Sequence, residues 1–448
     1  MSYLKETAAQ LVEAAREEDA DDAIAEVFDS SIDQIRYSNS MIDTSNHWET
    51  IHAHVFVAVG SRTMASDVRD LRRGADTVRE VVGLARKSPV NKDYGGIASG
   101  RFKYKSGRVD KRIASLRNPA KYVLDAIDGA VSGGAPDVGG TFFVRNSRWG
   151  IASSKGASAE DANASLDLSV RAFTQPEASG QAVLVTANLD RMKASETGAR
   201  AAELAISAND SVPGEEGKLD LVMEPLFLGG VVGATASMVS GLSVELGMSM
   251  FDKKIGKQVA SEEITLADDP FMKSMSRRMF DHEGRPSRKN VVIKNGSLKM
   301  LLHNTSTAKR FKVRPTASTG PLVATLFSMP SEPMMFHPVL ETGDQKIEEL
   351  VEDVKNGLYI NNTWYTRFQN YSTGDFSTIP RDAVLRIRNG EVIGAVKNIR
   401  VSDNLMKFWK NVDALSRTPE EIYWWDEAAP PAHLPAARVR KMRITRSS

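Results

Sequence analysis

The chain has 448 residues, of which 41% are hydrophobic and 26% are charged, and its formal net charge at pH 7 is +1. This length predicts two or three domains, and the composition is that of an ordinary soluble globular protein. The balanced charge gives no sign of a nucleic-acid or membrane-surface binder, and the absence of cysteine excludes disulfides and thiolate metal ligands.

Residues 1–115 predict an α+β domain with helices on one side of a sheet. Apolar residues at helical spacing predict a helix that contains residues 4–15 and a second helix over residues 67–87. Three strands are predicted between them, at residues 23–28, 33–38 and 51–59. Residues 39–46 are rich in turn-forming residues and predict a hairpin connection. The opening residues lack the apolar core of a signal peptide, so we expect a cytoplasmic protein.

Residues 116–217 predict a middle region of helices and a hairpin. The predicted elements are a helix at 119–131, strands at 141–146, 150–153 and 166–173, a loop at 175–180 and a helix at 188–208. The polar segment 209–217, with one proline and two glycines, is the best domain boundary.

Residues 218–448 predict a mostly antiparallel β domain behind a central helix. Pro225 can open this helix, and no charged residue occurs between Glu224 and Glu245. A helix that is apolar all round is buried. The run just reaches the roughly 20 residues that a membrane span needs, but its serines and glycines favour a helix in a soluble core. Small residues recur at every fourth position and allow a second backbone to approach: Gly229, Gly233, Ser237 and Gly241.

Short strands with two helices follow the central run. The predicted strands are 257–259, 263–266, 290–293, 298–302, 321–327, 334–337, 357–369, 383–388, 391–396 and 438–444. The predicted helices are 346–355 and 403–411. Asn389-Gly390 predicts a tight hairpin turn, because both residues tolerate positive φ.

Several motifs of this region occur in a characteristic order. They are Asp281-His282-Glu283-Gly284-Arg285-Pro286-Ser287-Arg288, Asn295-Gly296-Ser297-Leu298, Thr307-Ala308-Lys309, Thr373-Gly374-Asp375-Phe376-Ser377 and Asn389-Gly390-Glu391. Together with the apolar run, they resemble the TldD/PmbA family, which comprises metalloprotease-related proteins also called modulators of DNA gyrase.

The resemblance also indicates which kind of subunit this is. In the catalytic subunit of that family the central helix carries a zinc-binding His-Glu-x-x-x-His, and the matching window here is residues 229–234. The motif positions Gly229, Gly230 and Ala234 have no ligating atom. The resemblance therefore implies the metal-free subunit of a two-subunit metalloprotease, with no cofactor or metal in this chain and zinc in its partner. The pair would cleave unfolded peptides or peptide precursors, and a homodimer of this chain alone stays an alternative.

Two other functions remain open. His52 and His54 lie on one face of a predicted strand and could hold a metal in a self-sufficient peptidase, although two partly exposed strand histidines are the simpler interpretation. His282, between Asp281 and Glu283, is expected in a polar turn rather than an acid–base site.

A DNA- or gyrase-associated binding protein is the other alternative. Its only support is a basic segment with aromatic residues: Phe102, Lys103, Tyr104, Lys105, Arg108, Lys111 and Arg112. Since a solvated loop with a local contact is the simpler interpretation of this segment, nucleic acid is not an expected partner. Residues 195–200 are expected on a solvated helix face. The segment 424–431, rich in tryptophan and proline, is expected to pack on the core, to cover an edge or to dock a partner.

Overall fold

The structure is a computed structural model that describes residues 3–320, 331–425 and 427–446. We call residues 3–208 the first half and the rest the second half. In the first half the elements are α1 (Tyr3–Glu17), β1 (Asp22–Ser38), β2 (Met41–Val59), β3 (Arg62–Val68), α2 (Gly74–Lys87), α3 (Lys111–Ala114), α4 (Ala120–Ser132), β4 (Asp137–Ser153), β5 (Ser158–Gln175), β6 (Ala178–Thr186) and α5 (Ala194–Ser207).

Strands β1 to β6 form one antiparallel sheet in the order β3-β2-β1-β4-β5-β6. Because β4 pairs with β1, this sheet takes strands from both sides of residue 115. The predicted hairpin connection is present but shorter than the predicted residues 39–46, because β1 and β2 are joined directly at Asn39 and Ser40. Both residues have positive φ, 47° and 59°, which is the backbone of a tight hairpin turn.

The helices of the first half cover one face of this sheet. Ala23, Ala25 and Val27 point to α1 and α2, while the far ends of β1 and β4 pack with α4 and α5. This confirms the predicted α+β class. The predicted helix over 67–87 begins only at Gly74, because β3 precedes it and Asp70 caps an intervening turn by accepting from the Arg72 N–H at 3.1 Å.

The second half is mostly β. Its elements are β7 (Val212–Pro213), β8 (Gly217–Met223), α6 (Pro225–Met238), α7 (Gly241–Glu245), β9 (Leu266–Asp268), β10 (Asn290–Lys294), β11 (Ser297–Leu298), α8 (Thr305–Phe311), β12 (Pro338–Leu340), α9 (Ile347–Glu352), β13 (Asn356–Asn370), β14 (Asp375–Arg388), β15 (Glu391–Lys397), β16 (Ile399–Asn404), α10 (Leu405–Lys410), β17 (Val412–Leu415), β18 (Glu420–Trp424), β19 (Ala428–Leu434) and β20 (Ala437–Arg446).

These strands make two sheets around a large core that contains α6. One sheet has the order β11-β10-β9-β12-β19-β18, and the other has the order β13-β8-β20-β16-β14-β15-β7, with β17 paired to β20. Nearly every apolar side chain of α6 is buried, as predicted. The apolar run is nevertheless interrupted, because α6 ends at Met238 and α7 begins at Gly241. No helix in the described part of the chain is long and apolar enough to cross a membrane.

Other differences from the sequence predictions are local. The strand predicted at 334–337 begins later, at Pro338, and the strand predicted at 298–302 ends at Leu298. The predicted turn at Asn389-Gly390 is present, with φ of 49° and 84°. The strand predicted at 321–327 lies outside the described residues. Strands β3, β6, β7, β8 and β16 to β19 were not predicted. The hairpin predicted from residues 141–146 and 150–153 is wrong, because these residues lie in one continuous strand, β4.

Buried ion pairs join the two halves. Arg277 of the second half donates to Asp161 of the first at 3.1 Å, and Arg171 of the first half donates to Asp382 of the second at 2.7 Å. Both carboxylates are almost fully buried. Since an unpaired buried charge is costly, these pairs specify how the sheets face each other.

Helices α4 and α5 pack closely where Gly129 and Gly198 each face the other helix. This close approach gives the first prediction. A Cβ atom on Gly198 would overlap the carbonyl oxygen of Ala126. We expect Gly198→Ala to lower the free energy of unfolding by about 1–3 kcal/mol through overpacking. The measurement is urea denaturation followed by circular dichroism.

The control is Gly83→Ala on α2, where nothing lies within 4 Å of the added Cβ. Alanine is favoured over glycine in an open helix by about 1 kcal/mol, so this variant should be slightly stabilised. Equal effects at the two positions would contradict the close helix crossing.

Candidate functional site

The sequence-predicted motif positions lie on α6, where a strand of the other sheet approaches. A Cβ atom on Gly229 would lie 2.9 Å from the Cβ of Ala428, and one on Gly230 would lie 2.9 Å from the carbonyl oxygen of Glu427. A Cβ atom on Gly233 would overlap the carbonyl oxygen of Ala429. At Gly229 and Gly233, the small-residue stripe therefore packs against the start of β19 and not against another helix.

This packing decides what the motif positions can do. Gly229 and Gly230 are buried, and Ala234 is half-buried at the rim of the core. A histidine or glutamate at the first two positions would displace residues 427–429, because even a methyl group is too large there. The three positions lack ligating atoms, and the space beside Gly229 and Gly230 is filled. Part of the segment 424–431 thus packs on the core, as one of its interpretations proposed.

The N-terminus of α6 is held by a charged network. Pro225 occupies the first helical position, and Glu224 before it accepts from Arg200 Nη2 at 2.6 Å and from Asn361 Nδ2 at 2.7 Å. The hydroxyl of Tyr359 also contacts Glu224, and burial raises the pKa of this tyrosine well above its usual range. This network joins α5, α6 and β13.

The network also corrects the expectation for residues 195–200. Their helix face is not simply solvated, because Thr197 and Gly198 are buried and Arg200 reaches Glu224. The sequence around Arg200 gives no sign of its contact with Glu224, because Glu224 lies 24 residues further along the chain.

A cavity of about 690 Å³ adjoins this network. One part of the lining is β6 with the first turns of α5, and another part is β18. The remaining lining comes from the start of α6 and from Met272, Lys273, Ser274, His337 and His433. The cavity therefore lies between the two halves and between an edge strand of each sheet. Sequence reasoning missed it, because β6 and β18 were not predicted as strands.

The outer edge of β6 faces this cavity. The Gln181 N–H donates to Asn361 Oδ1 at 3.1 Å, and Asn361 Nδ2 donates to the Gln181 carbonyl oxygen at 3.0 Å. Outward-facing backbone groups alternate along an antiparallel strand, so those of Val183 and Val185 also point away from β5. Within the described residues they pair with no further strand. The cavity thus contains an open sheet edge.

Two of the titratable side chains that line the cavity, His337 and Glu421, do not form a hydrolytic pair. Ser276 Oγ lies 2.7 Å from His337 Nδ1, but burial lowers the pKa of His337 to about 4. So weak a base does not activate a hydroxyl well near neutral pH. Glu421 accepts from the Met275 N–H at 2.9 Å, and burial raises the pKa of Glu421 to about 7.

The structure brings the histidines considered as metal ligands into one aromatic cluster. The rings of His52 and His54 lie 5.0 Å apart and flank Phe28. His54 Nε2 is 3.6 Å from Asp67, and burial lowers the pKa of His54 to about 4. Nearby, His282 Nδ1 lies 2.7 Å from Glu26 Oε1. Across the described ranges, no group of three or more histidine, aspartate or glutamate side chains is arranged to hold a metal ion.

The basic segment is largely engaged with the rest of the protein. Tyr104 donates to the Gly284 carbonyl oxygen at 2.8 Å, and Lys105 Nζ lies 4.2 Å from the centre of the Phe271 ring. Arg112 pairs with Asp110 and Asp190. Tyr104 and Lys105 thus join the segment to the second half. The basic side chains of the segment are all exposed: Lys103, Lys105, Arg108, Lys111 and Arg112.

Comparison with known proteins places these features in a family. Residues 216–446 match the model of the PmbA/TldA metallopeptidase C-terminal domain. A metalloprotease of Methanothermobacter thermautotrophicus is 28% identical over 232 residues, which are 51% of this chain and 49% of that protein. A metalloprotease TldD homologue of Buchnera aphidicola subsp. Acyrthosiphon pisum is 32% identical over 154 residues, which are 34% of this chain and 31% of that protein. The chain thus matches about half or less of the length of these relatives.

Two solved structures share the whole fold. TldE from Thermococcus kodakarensis superposes with a TM-score of 0.88 at 17% identity, covering 98% of this chain and all of that one. A putative modulator of a DNA gyrase from Thermotoga maritima gives a TM-score of 0.84 at 20% identity over the same shares. The family model matches just over half of the chain. The chain therefore belongs to the PmbA/TldA metallopeptidase family, also written TldD/PmbA.

Proposed function

We propose that this chain is the metal-free subunit of a two-subunit metalloprotease that cleaves unfolded peptides or peptide precursors. The observation that carries the proposal is the closed glycine face of α6. A catalytic zinc site needs three protein ligands and an open position for water. Gly229, Gly230 and Ala234 offer no ligand, and residues 427–429 fill the space beside the first two. A zinc ion does not fit this helix.

Catalysis then depends on a zinc-bearing partner of the same family. The metalloprotease names of the relatives and the TldE fold of one structural neighbour support this division of labour. In the complex this chain would bind peptide and shape the enclosed space, while the partner would supply zinc. The self-sufficient peptidase is less well supported, since within the described residues no third histidine, aspartate or glutamate side chain joins His52 and His54 in a group that could hold a metal ion.

We assign peptide binding to the outer edge of β6. Extended peptides add to open sheet edges through main-chain hydrogen bonds, which are independent of sequence. The backbone groups of Val183 and Val185 are available for such bonds. Glu421 and Arg191, which line the same cavity, offer a carboxylate and a guanidinium to peptide side chains. A substrate must be extended to use this edge, in keeping with a preference for unfolded chains.

The closed face of α6 gives a prediction about metal. We expect the triple variant Gly229→His, Gly230→Glu, Ala234→His, which restores the family motif, to bind no zinc, because residues 427–429 occupy the ligand space. Each enlarged side chain at the two glycines should also cost about 1–3 kcal/mol of unfolding free energy. Zinc is measured by plasma mass spectrometry after dialysis, and stability by urea denaturation.

Ser237→His is the matched control, because Ser237 is exposed on the same helix and should tolerate the change. Gly229→Ala alone keeps the test informative if the triple variant does not fold, since it too should be destabilised. Stoichiometric zinc in the triple variant would overturn the proposed closure.

Co-purification tests the proposed complex directly. We expect the tagged chain, isolated from its native cell extract, to retain a His-Glu-x-x-x-His protein of the family in equal amount. The eluate should cleave fluorescein-labelled unfolded casein, and a chelator should abolish the cleavage because the zinc belongs to the partner. Proteolysis by the pure chain alone would instead place the active site in this sequence.

The assignment of β6 predicts the effect of backbone changes at its edge. In the assembled complex, Val185→Pro should raise KM for unfolded casein by about two- to tenfold, because it removes one main-chain donor. Proline is tolerated on edge strands, so folding should survive. Val185→Ala keeps the N–H and should leave KM within about twofold. Equal effects of proline and alanine would show that the Val185 N–H does not bind peptide.

A further inference from the structure

A second cavity lies where the first sheet meets the second half. Its volume is about 330 Å³, and among the described residues it shares no lining residue with the cavity beside β6. We call it the junction cavity, because β5 and β6 of the first half line it together with β14, β15 and β16 of the second. Its lining contains three cations and two anions: Arg171, Arg381, Lys397, Glu177 and Asp382. Positive charge is therefore in excess.

Both acidic side chains of the junction cavity are already paired. Asp382 accepts from Arg171 Nε at 2.7 Å and from the Ser179 hydroxyl at 2.8 Å. Glu177 accepts from Lys397 Nζ. Two of the three cations thus have an acid of their own, and the third has none.

Arg381 is this third cation. Among the described residues it has no hydrogen bond or ion pair, and its guanidinium carbon lies 5.1 Å from the centre of the Trp364 ring. The side chain is half-buried. Burial and the charge of Arg171 lower the pKa of Arg381, although Asp382 and Glu427 act in the opposite direction. Because charges removed from water are normally paired, the cavity favours an anion beside Arg381.

The backbone of β14 directs two consecutive side chains into the junction cavity. Successive side chains of a strand normally point to opposite faces of the sheet. Here the pairing of β13 with β14 shifts between Ile360 and Asn362, and Asp382 has a positive φ of 61°. Both Arg381 and Asp382 therefore line the cavity, and the buried acid holds Arg171 beside them. Bulges and strained backbone of this kind are concentrated at ligand-binding sites.

Part of the junction cavity is apolar. Phe173 and Ile379 are half-buried, while Pro380 and Val396 are buried. The Phe173 ring lies beside the cationic part, with its centre 5.3 Å from the guanidinium carbon of Arg171. An anion that also carries a hydrocarbon group would therefore contact both parts of the lining.

We propose that the junction cavity binds an organic carboxylate, with the anionic group between Arg171 and Arg381 and the apolar group against Phe173 and Ile379. A guanidinium group is planar and matches a carboxylate with two parallel hydrogen bonds. Arg171 Nη1 has no hydrogen bond within the described residues and is available for this contact. Peptide C-termini and free organic acids share this chemistry. The inference does not depend on the zinc-bearing partner or on peptide binding at β6.

N-acetyl-leucine and N-acetyl-leucinamide are matched probes, because only the first carries a carboxylate. We expect millimolar N-acetyl-leucine to raise the thermal unfolding temperature of the full-length chain at constant ionic strength, since a ligand that binds the folded state stabilises it. The amide should leave this temperature unchanged. Equal shifts with the two compounds, or no shift with either, would refute the carboxylate site.

Arg381→Gln tests the assigned cation. The variant should fold, because it removes a charge that has no acid of its own. It should raise the dissociation constant for N-acetyl-leucine about tenfold or more, because a charged hydrogen-bond donor is lost. Arg69→Gln removes an exposed arginine outside the cavity and should leave the constant unchanged. Equal affinities of Arg381→Gln and the unmodified chain would contradict the assignment.

A longer ligand distinguishes the two sources of the carboxylate. Tighter binding of acetyl-Gly-Gly-Leu than of N-acetyl-leucine would assign the junction cavity to peptide C-termini, whereas equal affinities would assign it to small organic acids. Either result supports the site between Arg171 and Arg381.

Discussion

The close packing of α6 on the start of β19 is the constraint on which the second half depends. Glycines at residues 229, 230 and 233 let the helix lie directly against the backbone of residues 427–429. This contact joins the two sheets of the second half, because α6 follows β8 of one sheet and β19 belongs to the other. The same contact fills the space that a zinc site would need. The contact that packs α6 against β19 is therefore also the feature on which the proposed lack of catalysis in this chain rests.

The two faces and the two edges of the first sheet have different surroundings. One face is covered by helices, and the other meets the second half through buried ion pairs. Of its two sides, β6 opens into a cavity beside Glu224, whereas the outer part of β2 is open to solvent.

Local chemistry made part of this fold predictable. The Asn389-Gly390 turn and the all-round apolar α6 follow from residues that are adjacent in sequence, and the motif order indicated the family. The hairpin after β1 was predicted but its turn was made too long, because Asn39 and Ser40 do not signal positive φ as strongly as glycine does. The cavity was missed for a different reason. Gln181, Glu224 and Asn361 meet only through long-range strand pairing, and no local pattern marks such partners.

The ion pairs between the halves also affect how the chain folds. Each half supplies one arginine and one aspartate, since Arg171 meets Asp382 and Arg277 meets Asp161. A half expressed alone would lose both pairs and would expose apolar residues that pack across the boundary, such as Phe56 and Phe280. Unfolding of the intact chain should therefore be cooperative across the boundary. Two complementary fragments would regain this stabilisation by reassociating, because reassociation restores both ion pairs and buries the apolar residues again.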